Sequence, residues 1–397
     1  MTAAIVRNAL AQSRGRYGFE DLISRLDTHA ARVEISKWPS FTETPLRELS
    51  PLARQSGVAE IYYKDEATRL GLGSFKALGG AYAVARLLQR VIARRTGETV
   101  EISDLIAGRY RSVTELVTVV SSTDGNHGRS VAWGAQLFGC RCCIVIHAGV
   151  SDSRRDAIAS YGAEVIRING NYDDSVYHAL ELADQTGWEL VADTSSPGHE
   201  QTCLDVMRGY TVMAAETLDQ LLAAGGHAPT HVFIQGGVGG LAAAVCAHFW
   251  ETLDATPTFV VVEPDRADCL YQSAQLGRPA KTIGDLKTVM SGLACGEPSP
   301  IAWQILRKAV EFFMTISDAE AISVMRTLAD ARQVGSRIVA GESGGVGLAG
   351  FLKVASQPAT RKLMRLDRSS RVLTFGTEGA TDRAIYASLT GGRCVRE

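Results

Sequence analysis

Short apolar runs rich in β-branched residues alternate with longer segments of helical spacing along nearly all of the 397 residues. Strands are predicted at 60–64, 114–121, 142–147, 164–168, 188–192, 231–235, 258–263 and 371–375. Helices are predicted at 76–95, 128–138, 153–161, 175–186, 209–223, 239–250, 302–313, 318–331 and 345–355. This alternation is typical of an α/β fold in which helices cover both faces of mostly parallel sheets. The segment 267–300 is irregular, and we expect a surface excursion or a lid there.

The charge balance and the cysteine content exclude several classes of protein. The net charge of −2 provides no excess of Lys and Arg for a nucleic-acid backbone. The N-terminus has no apolar core of a secretory signal, and the uncharged window Val232–Trp250 is better explained by a strand, a glycine loop and a helix than by a membrane span. The eight cysteines are too sparse for a disulfide scaffold and have no zinc-ligand spacing. We therefore expect a cytoplasmic protein with no metal, membrane or nucleic-acid partner.

The first motif with chemical meaning is Gly73-Ser-Phe-Lys-Ala-Leu-Gly-Gly80. Lys76 lies between apolar residues at the start of a predicted helix. Partial burial and the positive end of the helix dipole both favour the neutral amine, which is the nucleophilic form that a Schiff base requires. A lysine that extends from a helix terminus into solvent is the better explanation of this segment when it is taken alone.

The second motif, Ser121-Ser-Thr-Asp-Gly-Asn-His-Gly128, directly follows an apolar strand, and we call it the asparagine loop. In open α/β sheets, ligands bind beyond the carboxyl ends of the strands. The loop offers hydroxyl groups, backbone N–H groups, the carboxylate of Asp124 and the amide of Asn126. It could hold the carboxylate of a substrate, or it could be a polar turn that caps the next helix.

The third motif, Gln235-Gly-Gly-Val-Gly-Gly-Leu241, lies between a predicted strand and a predicted helix, and we call it the glycine loop. Backbone N–H groups at a helix N-terminus bind anions, and glycine lets a phosphate approach closely. A competing hypothesis is a dinucleotide site, because Glu263 ends the next strand about 20 residues later. The loop lacks the Gly-x-Gly-x-x-Gly register, however, so another kind of phosphate is favoured.

A fourth glycine-rich segment, Gly341–Gly350, does contain the Gly-x-Gly-x-x-Gly register, at Gly345, Gly347 and Gly350. The residues before it do not form a convincing strand, which a nicotinamide site requires. Such an isolated match is a weak indication of nicotinamide binding.

The first three motifs together supply what pyridoxal phosphate requires: a lysine for the aldehyde, a glycine loop for the phosphate and an amide for the ring oxygen. The chain resembles the fold-type II pyridoxal-phosphate enzymes, and among them most the diaminopropionate ammonia-lyases. The resemblance extends over most of the chain, from Tyr63-Lys-Asp-Glu66 to Thr377-Glu-Gly-Ala-Thr-Asp382. Its most specific stretches are 73–82, 123–129, 262–264 and 291–298. Asp124 points to the lyases, since dehydratases have a serine-rich loop there.

The resemblance implies roles for individual positions in this chain. Lys76 would be the Schiff-base lysine and Asn126 would bind the ring oxygen. Thr377 would lie near the pyridine nitrogen, and Glu342 close to the ring. The phosphate would be held by Gly236, Gly237, Val238, Gly239 and Gly240. The substrate would contact Ser122, Thr123, Asp124, Gly125 and Asp193. Cys269 and Cys295 match paired positions of the lyases and would approach each other without a catalytic role.

The resemblance also implies a two-domain, three-layer α/β/α architecture. Residues 1–83 and 197–397 would form the larger, cofactor-binding domain, and residues 84–196 the smaller domain with the asparagine loop. Homodimers are common in the family, so a homodimer is expected.

The implied reaction is an α,β-elimination that converts 2,3-diaminopropionate to pyruvate and ammonia. Lys76 would remove the Cα proton of an L-substrate, and Asp124 that of a D-substrate on the opposite face. Asp124 and Asp193 are the candidates for the acid that protonates the leaving amine. One departure concerns the substrate: the lyases usually continue an Asp-Thr pair with Trp-Glu-Gly-Tyr, whereas Ser195-Ser-Pro-Gly-His-Glu200 follows Asp193-Thr194 here.

Three other functions stay open at this stage. A serine or threonine dehydratase, or a lyase for another β-substituted amino acid, would use the same cofactor with a different leaving group. A nicotinamide-dependent oxidoreductase would depend on the register at 345–350. A catalytically silent amino-acid-binding relative would be explained by the altered segment 195–200.

Overall fold

A computed structural model describes residues 4–12, 27–123, 125–195 and 198–392, and its strands form two sheets. The larger sheet contains β1 (Ile5–Arg7), β2 (Leu46–Glu48), β3 (Glu60–Asp65), β8 (His231–Gln235), β9 (Thr258–Pro264), β10 (Phe312–Ile316) and β11 (Arg371–Gly376). The smaller sheet contains β4 (Thr118–Thr123), β5 (Arg141–Ile146), β6 (Glu164–Arg167) and β7 (Glu189–Leu190).

Helices follow most of the strands in the chain. In chain order they are α1 (Thr28–Ile35), α2 (Ser50–Ser56), α3 (Lys76–Thr96), α4 (Ile102–Ile106), α5 (Arg111–Thr114), α6 (Asn126–Phe138), α7 (Asp152–Ala159), α8 (Tyr172–Thr186), α9 (Glu200–Ala223), α10 (Gly240–Thr252), α11 (Cys269–Leu276), α12 (Pro300–Ala309), α13 (Asp318–Leu328), α14 (Ala331–Val334), α15 (Val346–Ala355), α16 (Pro358–Met364) and α17 (Arg383–Thr390). Short 3₁₀ turns occupy Glu66–Gly71 and Ser291–Leu293.

The larger sheet has the order β1-β10-β9-β8-β11-β3-β2. Its five central strands are parallel, with His231 of β8 opposite Thr258 of β9 and Val372 of β11. The edge strands β1 and β2 are antiparallel to their neighbours. All five residues of β8 are buried, as expected of a strand that is covered on both faces. The predicted α/β fold with mostly parallel sheets is confirmed.

The smaller sheet has the order β6-β5-β4-β7, and all its strands are parallel. These four strands lie within residues 84–196, and the strands of the larger sheet lie outside that range. The domain boundaries at 83/84 and 196/197 stay a prediction.

Close helix crossings fix the position of α3, the helix that begins at Lys76. A Cβ atom on Gly209 of α9 would lie 2.3 Å from the carbonyl oxygen of Leu78, and one on Gly134 of α6 would lie 2.8 Å from the Cα of Ala81. Only glycine permits these backbones to approach so closely, because real Cβ contacts are longer than this. The first turns of α3 are therefore clamped between two other helices.

Two predicted elements are wrong in part. The helix predicted to continue to 313 ends at Ala309, and Phe312–Ile316 forms β10, parallel to β9. The strand predicted from 114 begins at Thr118, because Arg111–Thr114 is helical. Periodicity alone cannot separate a short buried strand from a buried helical segment, so the partner strand decides. The excursion predicted at 267–300 also contains the helix α11.

The uncharged window 232–250 folds as predicted into the strand β8, the glycine loop and the helix α10. Among the described residues, no helix has the length and apolar character needed to cross a membrane.

Candidate active site

A cavity of about 650 Å³ opens beyond the carboxyl ends of β4, β8 and β11. This is the edge at which parallel α/β sheets bind ligands. Its lining includes Phe75, Lys76, Asn126, Tyr172, Asp193, Gln235, Gly236, Gly237, Val238, Gly240, Leu241, Cys295, Ser343, Thr377 and Glu378. The lysine, the asparagine loop and the glycine loop, which are widely separated in the chain, therefore meet in one cavity.

Lys76 is the first residue of α3, and its side chain is 15% exposed. Its Nζ lies 5.7 Å from the centroid of the Phe75 ring and forms an ion pair with Asp193. This agrees with the predicted partial burial of a lysine at a helix start. No motif indicated its pairing with Asp193, which lies 117 residues away.

Asp193 follows β7 and is almost completely buried. Its Oδ2 accepts a hydrogen bond from Lys76, and its Oδ1 accepts one from the Tyr172 hydroxyl at 2.9 Å. Burial alone would raise the pKa of Asp193, but the charges of Lys76 and His127 and the hydrogen bonds from Lys76 and Tyr172 lower it well below its usual range. Asp193 is therefore ionised at neutral pH.

The glycine loop presents three open N–H groups rather than the five that were predicted. The N–H group of Gly236 donates to the Val262 carbonyl at 2.9 Å, and that of Gly239 donates to the Gly236 carbonyl at 3.3 Å. The N–H groups of Gly237, Val238 and Gly240 donate to no acceptor among the described residues. These three precede or begin helix α10, so its dipole adds to the attraction for an anion.

Neither Gly236 nor Gly237 could carry a side chain without a steric clash or backbone strain. A Cβ on Gly236 would lie 2.5 Å from the Cγ of Glu263, and Gly237 has φ +64°. The Sγ atom of Cys269 donates to the Gly237 carbonyl at 3.6 Å, and a Cβ on Gly237 would lie 3.9 Å from the Sγ of Cys295. Both cysteines thus lie beside the same glycine.

Glu263 does not serve a dinucleotide. Its carboxylate is fully buried and accepts the N–H groups of Leu270 and Tyr271, at 3.0 and 2.7 Å, at the start of α11. Burial raises the pKa of Glu263 to about 8. The group is inaccessible to a ribose, so the dinucleotide hypothesis for the glycine loop is wrong.

Among the described residues of the asparagine loop, Asn126 alone lines the cavity. Asn126 begins α6 and donates through Nδ2 to Oε2 of Glu378 at 2.5 Å. The Oγ1 atom of Thr123 accepts the N–H groups of Gly125 and Gly128, at 2.8 and 2.9 Å, and so shapes the loop. Ser122 lines a neighbouring cavity instead. Asp124 lies outside the described residues.

Thr377 and Gln235 stand side by side in the cavity wall. The Thr377 hydroxyl donates to the Ser343 carbonyl and accepts from Nε2 of Gln235, both at 3.3 Å. The same Nε2 also donates to the Phe375 carbonyl at 2.8 Å. The buried Oε1 of Gln235 receives no hydrogen bond from the described residues. It is a polar atom at the cavity wall that a ligand could satisfy.

Glu378 lines the cavity, and sequence reasoning assigned it no role. It accepts the N–H group of Ser343 at 2.9 Å besides the amide of Asn126. Burial and the charge of Glu342 raise the pKa of Glu378 to about 7. Glu342, expected beside the ring, is instead turned to Arg154 and to the hydroxyl of Ser291 and does not belong to the lining. Its cofactor-binding role stays a prediction.

The glycines of the fourth motif serve helix packing. A Cβ on Gly347 would lie 2.4 Å from the carbonyl oxygen of Phe233, and one on Gly350 would lie 2.5 Å from Cγ2 of Val262. They let α15 lie directly on β8 and β9. The nicotinamide hypothesis for 345–350 is therefore wrong.

The comparisons agree with this geometry. A family model described as "Pyridoxal-phosphate dependent enzyme" matches residues 38–366. The chain belongs to this family. The match includes the lysine and both functional loops.

Diaminopropionate ammonia-lyases are similar to this pyridoxal-phosphate enzyme over nearly its whole length. The one from Escherichia coli K12 is 39% identical over 93% of this chain and 92% of its own. Two solved structures of the Escherichia coli lyase are also similar to this chain: a holo form with selenomethionine and a complex with D-serine. Each has a TM-score of 0.87 and 35% sequence identity, and each match covers 100% of this chain and 99% of the solved chain. The chain is a homologue of these lyases.

The cavity of this pyridoxal-phosphate enzyme fits its cofactor. The wall of the cavity contains an amine, three open N–H groups, an amide and a hydroxyl. These groups match an aldehyde, a phosphate, a ring oxygen and a ring nitrogen respectively.

Proposed function

We propose that this enzyme eliminates ammonia from 2,3-diaminopropionate, as the D isomer, the L isomer or both, and releases pyruvate and ammonia. The observation that carries the proposal is the single cavity that contains Lys76 together with the open N–H groups of the glycine loop. The 39% identity to a diaminopropionate ammonia-lyase over 93% of the chain supports this substrate.

The cofactor would be held at four points. Lys76 would bind its aldehyde through Nζ, and Asn126 its ring oxygen. The N–H groups of Gly237, Val238 and Gly240 would bind its phosphate. When bound, pyridoxal phosphate delocalises the negative charge that is left at Cα. Thr377 would offer the ring nitrogen a hydroxyl rather than a carboxylate, which favours an uncharged nitrogen and therefore elimination over transamination.

Lys76 and Asp193 would move the protons for an L-substrate. The Nζ of Lys76 accepts the Cα proton and becomes an ammonium, which the ionised Asp193 stabilises. Because Asp193 is ionised, it is a poor proton donor. We therefore expect Asp193 to stabilise the proton on Lys76 rather than to protonate the leaving amine directly. The same ammonium can then protonate the departing β-nitrogen.

The ratio of ammonia to pyruvate tests the proposed reaction. Diaminopropionate releases two ammonia molecules per pyruvate, one from the β-carbon and one from hydrolysis of the product enamine, whereas serine releases one. We expect a ratio of two with diaminopropionate and a lower kcat/KM with D- and L-serine and L-threonine. Faster turnover of serine or threonine would identify a dehydratase, and no activity with any β-substituted amino acid would identify a silent relative.

The Asp124→Asn variant tests whether each isomer uses its own base. We expect kcat for the D-substrate to fall by about 10²-fold or more, since a positioned base contributes about 10²–10⁴-fold. The L-substrate should lose much less, because Lys76 is retained. Measurement of kcat for both isomers on one preparation makes the L-substrate an internal control. Equal losses would contradict separate bases on the two faces.

We also infer a homodimer and a cytoplasmic location. The first comes from the family resemblance, and the second from the seven described cysteines, all of which are free, as is usual in a reducing compartment. Light scattering on the purified enzyme would test the homodimer.

A further inference from the structure

A second cavity of about 810 Å³ adjoins the active-site cavity, and we call it the annex. Tyr172 and Val238 line both cavities. The annex lies between helix α8, the end of β7 and the segment 297–300. Two residues of the segment that follows Asp193, Thr194 and Ser195, line the annex among the described residues, and both have small side chains. The two cavities therefore share a wall formed by Tyr172 and Val238, and the reaction itself does not explain the second cavity.

Most of the annex wall is apolar. Val176 and Leu180 lie one turn apart on α8, and Leu190, Ala192 and Pro298 complete this part of the wall. Val176 packs on the cluster that contains Tyr172 and Val238. Such a wall favours a hydrocarbon group, because apolar surface of the group and of the wall is removed from water when the group enters.

The remaining wall carries negative charge. Asp173 and Glu297 both line the annex. Glu297 forms an ion pair with Lys281 and accepts the Tyr177 hydroxyl at 2.9 Å, whereas Asp173 has no ion-pair partner among the described residues. Burial and the charge of Glu297 raise the pKa of Asp173 to about 6, so it is mostly ionised at neutral pH. The annex should therefore accept cationic groups and repel anions.

The annex lies next to the groups that would protonate the leaving nitrogen. The hydroxyl of Tyr172, which lines both cavities, donates to Asp193, and Asp193 pairs with Lys76. In the proposed function the β-nitrogen leaves beside Lys76, so a substituent on it would lie close to Tyr172 and to the wall shared with the annex. Ser122, a predicted substrate contact, also lines the annex.

We propose that the annex receives an organic group on the β-nitrogen of the substrate. On this basis, which depends on the proposed function, the enzyme also takes 2,3-diaminopropionates whose β-nitrogen carries an apolar or cationic chain. The Cα–H bond breaks and its proton moves to Lys76, the Cβ–N bond breaks with its electron pair on nitrogen, and the nitrogen takes one proton and leaves as a primary amine. Water then hydrolyses the enamine to pyruvate and ammonia, so no oxidant or reductant is required.

Pyruvate formation from four substrates tests the proposal: diaminopropionate itself and its Nβ-benzyl, Nβ-(2-aminoethyl) and Nβ-carboxymethyl derivatives. We expect kcat/KM for the benzyl and aminoethyl derivatives to lie within about tenfold of that for diaminopropionate. The carboxymethyl derivative should be at least about tenfold poorer than the benzyl one. Pocket contacts of this kind are worth about 10–200-fold.

Two substitutions of Val176 locate the effect. Val176→Phe should fill the annex and lower kcat/KM for the benzyl derivative by about tenfold or more, with less than about a twofold change for diaminopropionate. Val176→Ala, the control for disturbance of α8, should retain both activities. Turnover of diaminopropionate with none of the benzyl derivative, or an equal loss of both in Val176→Phe, would overturn the annex proposal alone. No turnover of diaminopropionate by the wild-type enzyme would overturn the proposed function as well.

Discussion

The Lys76→Ala variant is expected to lose turnover of diaminopropionate by at least about 10³-fold, together with the visible absorption band of bound pyridoxal phosphate. Lys76 would provide both the covalent link to the aldehyde and the base for the L-substrate, and a positioned base alone contributes about 10²–10⁴-fold. The ion pair with Asp193 and the location at the cavity wall make this lysine available for both tasks. The measurements are the absorption spectrum and the rate of pyruvate release.

Lys287→Ala is the matched control, because the Lys287 side chain is 80% exposed and, among the described residues, forms an ion pair with Asp285 alone, at 3.7 Å. It should retain both the band and the turnover. Treatment with borohydride provides the decisive test, since it fixes a covalent link between lysine and cofactor. If purified Lys76→Ala still carries a borohydride-reducible link to pyridoxal, the assignment of Lys76 is wrong.

Local features of the cavity could be predicted from the sequence. Lys76 is the first residue of its helix, and the glycine loop lies between a strand that ends at Gln235 and a helix that begins at Gly240. Apolar patterning and glycine spacing in the neighbouring residues predict both positions. The asparagine loop follows β4 in the same way.

Contacts between distant segments could not be predicted. Glu378 reaches Asn126 across 252 residues, and Asp193 reaches Lys76 across 117. The glycine pattern also did not reveal that the N–H groups of Gly236 and Gly239 are used within the protein, because their acceptors depend on how β8 lies beside β9 and how the turn closes. Tertiary packing decides such details, and no periodicity in the chain encodes them.

A second feature that no motif predicted is a buried group of four charges beneath the lysine-bearing helix. The Nζ of Lys64 donates to Glu216 at 2.9 Å. Arg69 pairs with both Glu66 and Glu216, with N–O distances between 2.5 and 2.8 Å. All four side chains are 0% exposed. Glu216 lies on α9, so it links β3 and the 3₁₀ turn that precedes Lys76 to the helix that crosses α3.

The Glu216→Gln variant is therefore expected to lower the free energy of unfolding by about 3–5 kcal/mol, because Lys64 and Arg69 would share the one remaining carboxylate, Glu66. The substitution keeps the size of the side chain, so the loss reports the charge rather than a cavity. Urea denaturation of the wild-type and variant enzymes with bound cofactor measures it.

Glu189→Gln is the control for removal of one carboxylate from an ion pair. Arg94 and Glu189 pair at 2.8 Å on the surface, where such a pair contributes about 0–1 kcal/mol. The double variant Lys64→Met with Glu216→Gln removes one charge of each sign, and it should recover part of the stability that Glu216→Gln alone loses, because Arg69 and Glu66 then form a balanced pair. Two outcomes would contradict the role of charge balance in burying these four side chains. One is an equal loss of stability in Glu216→Gln and Glu189→Gln. The other is a double variant that is less stable than Glu216→Gln alone.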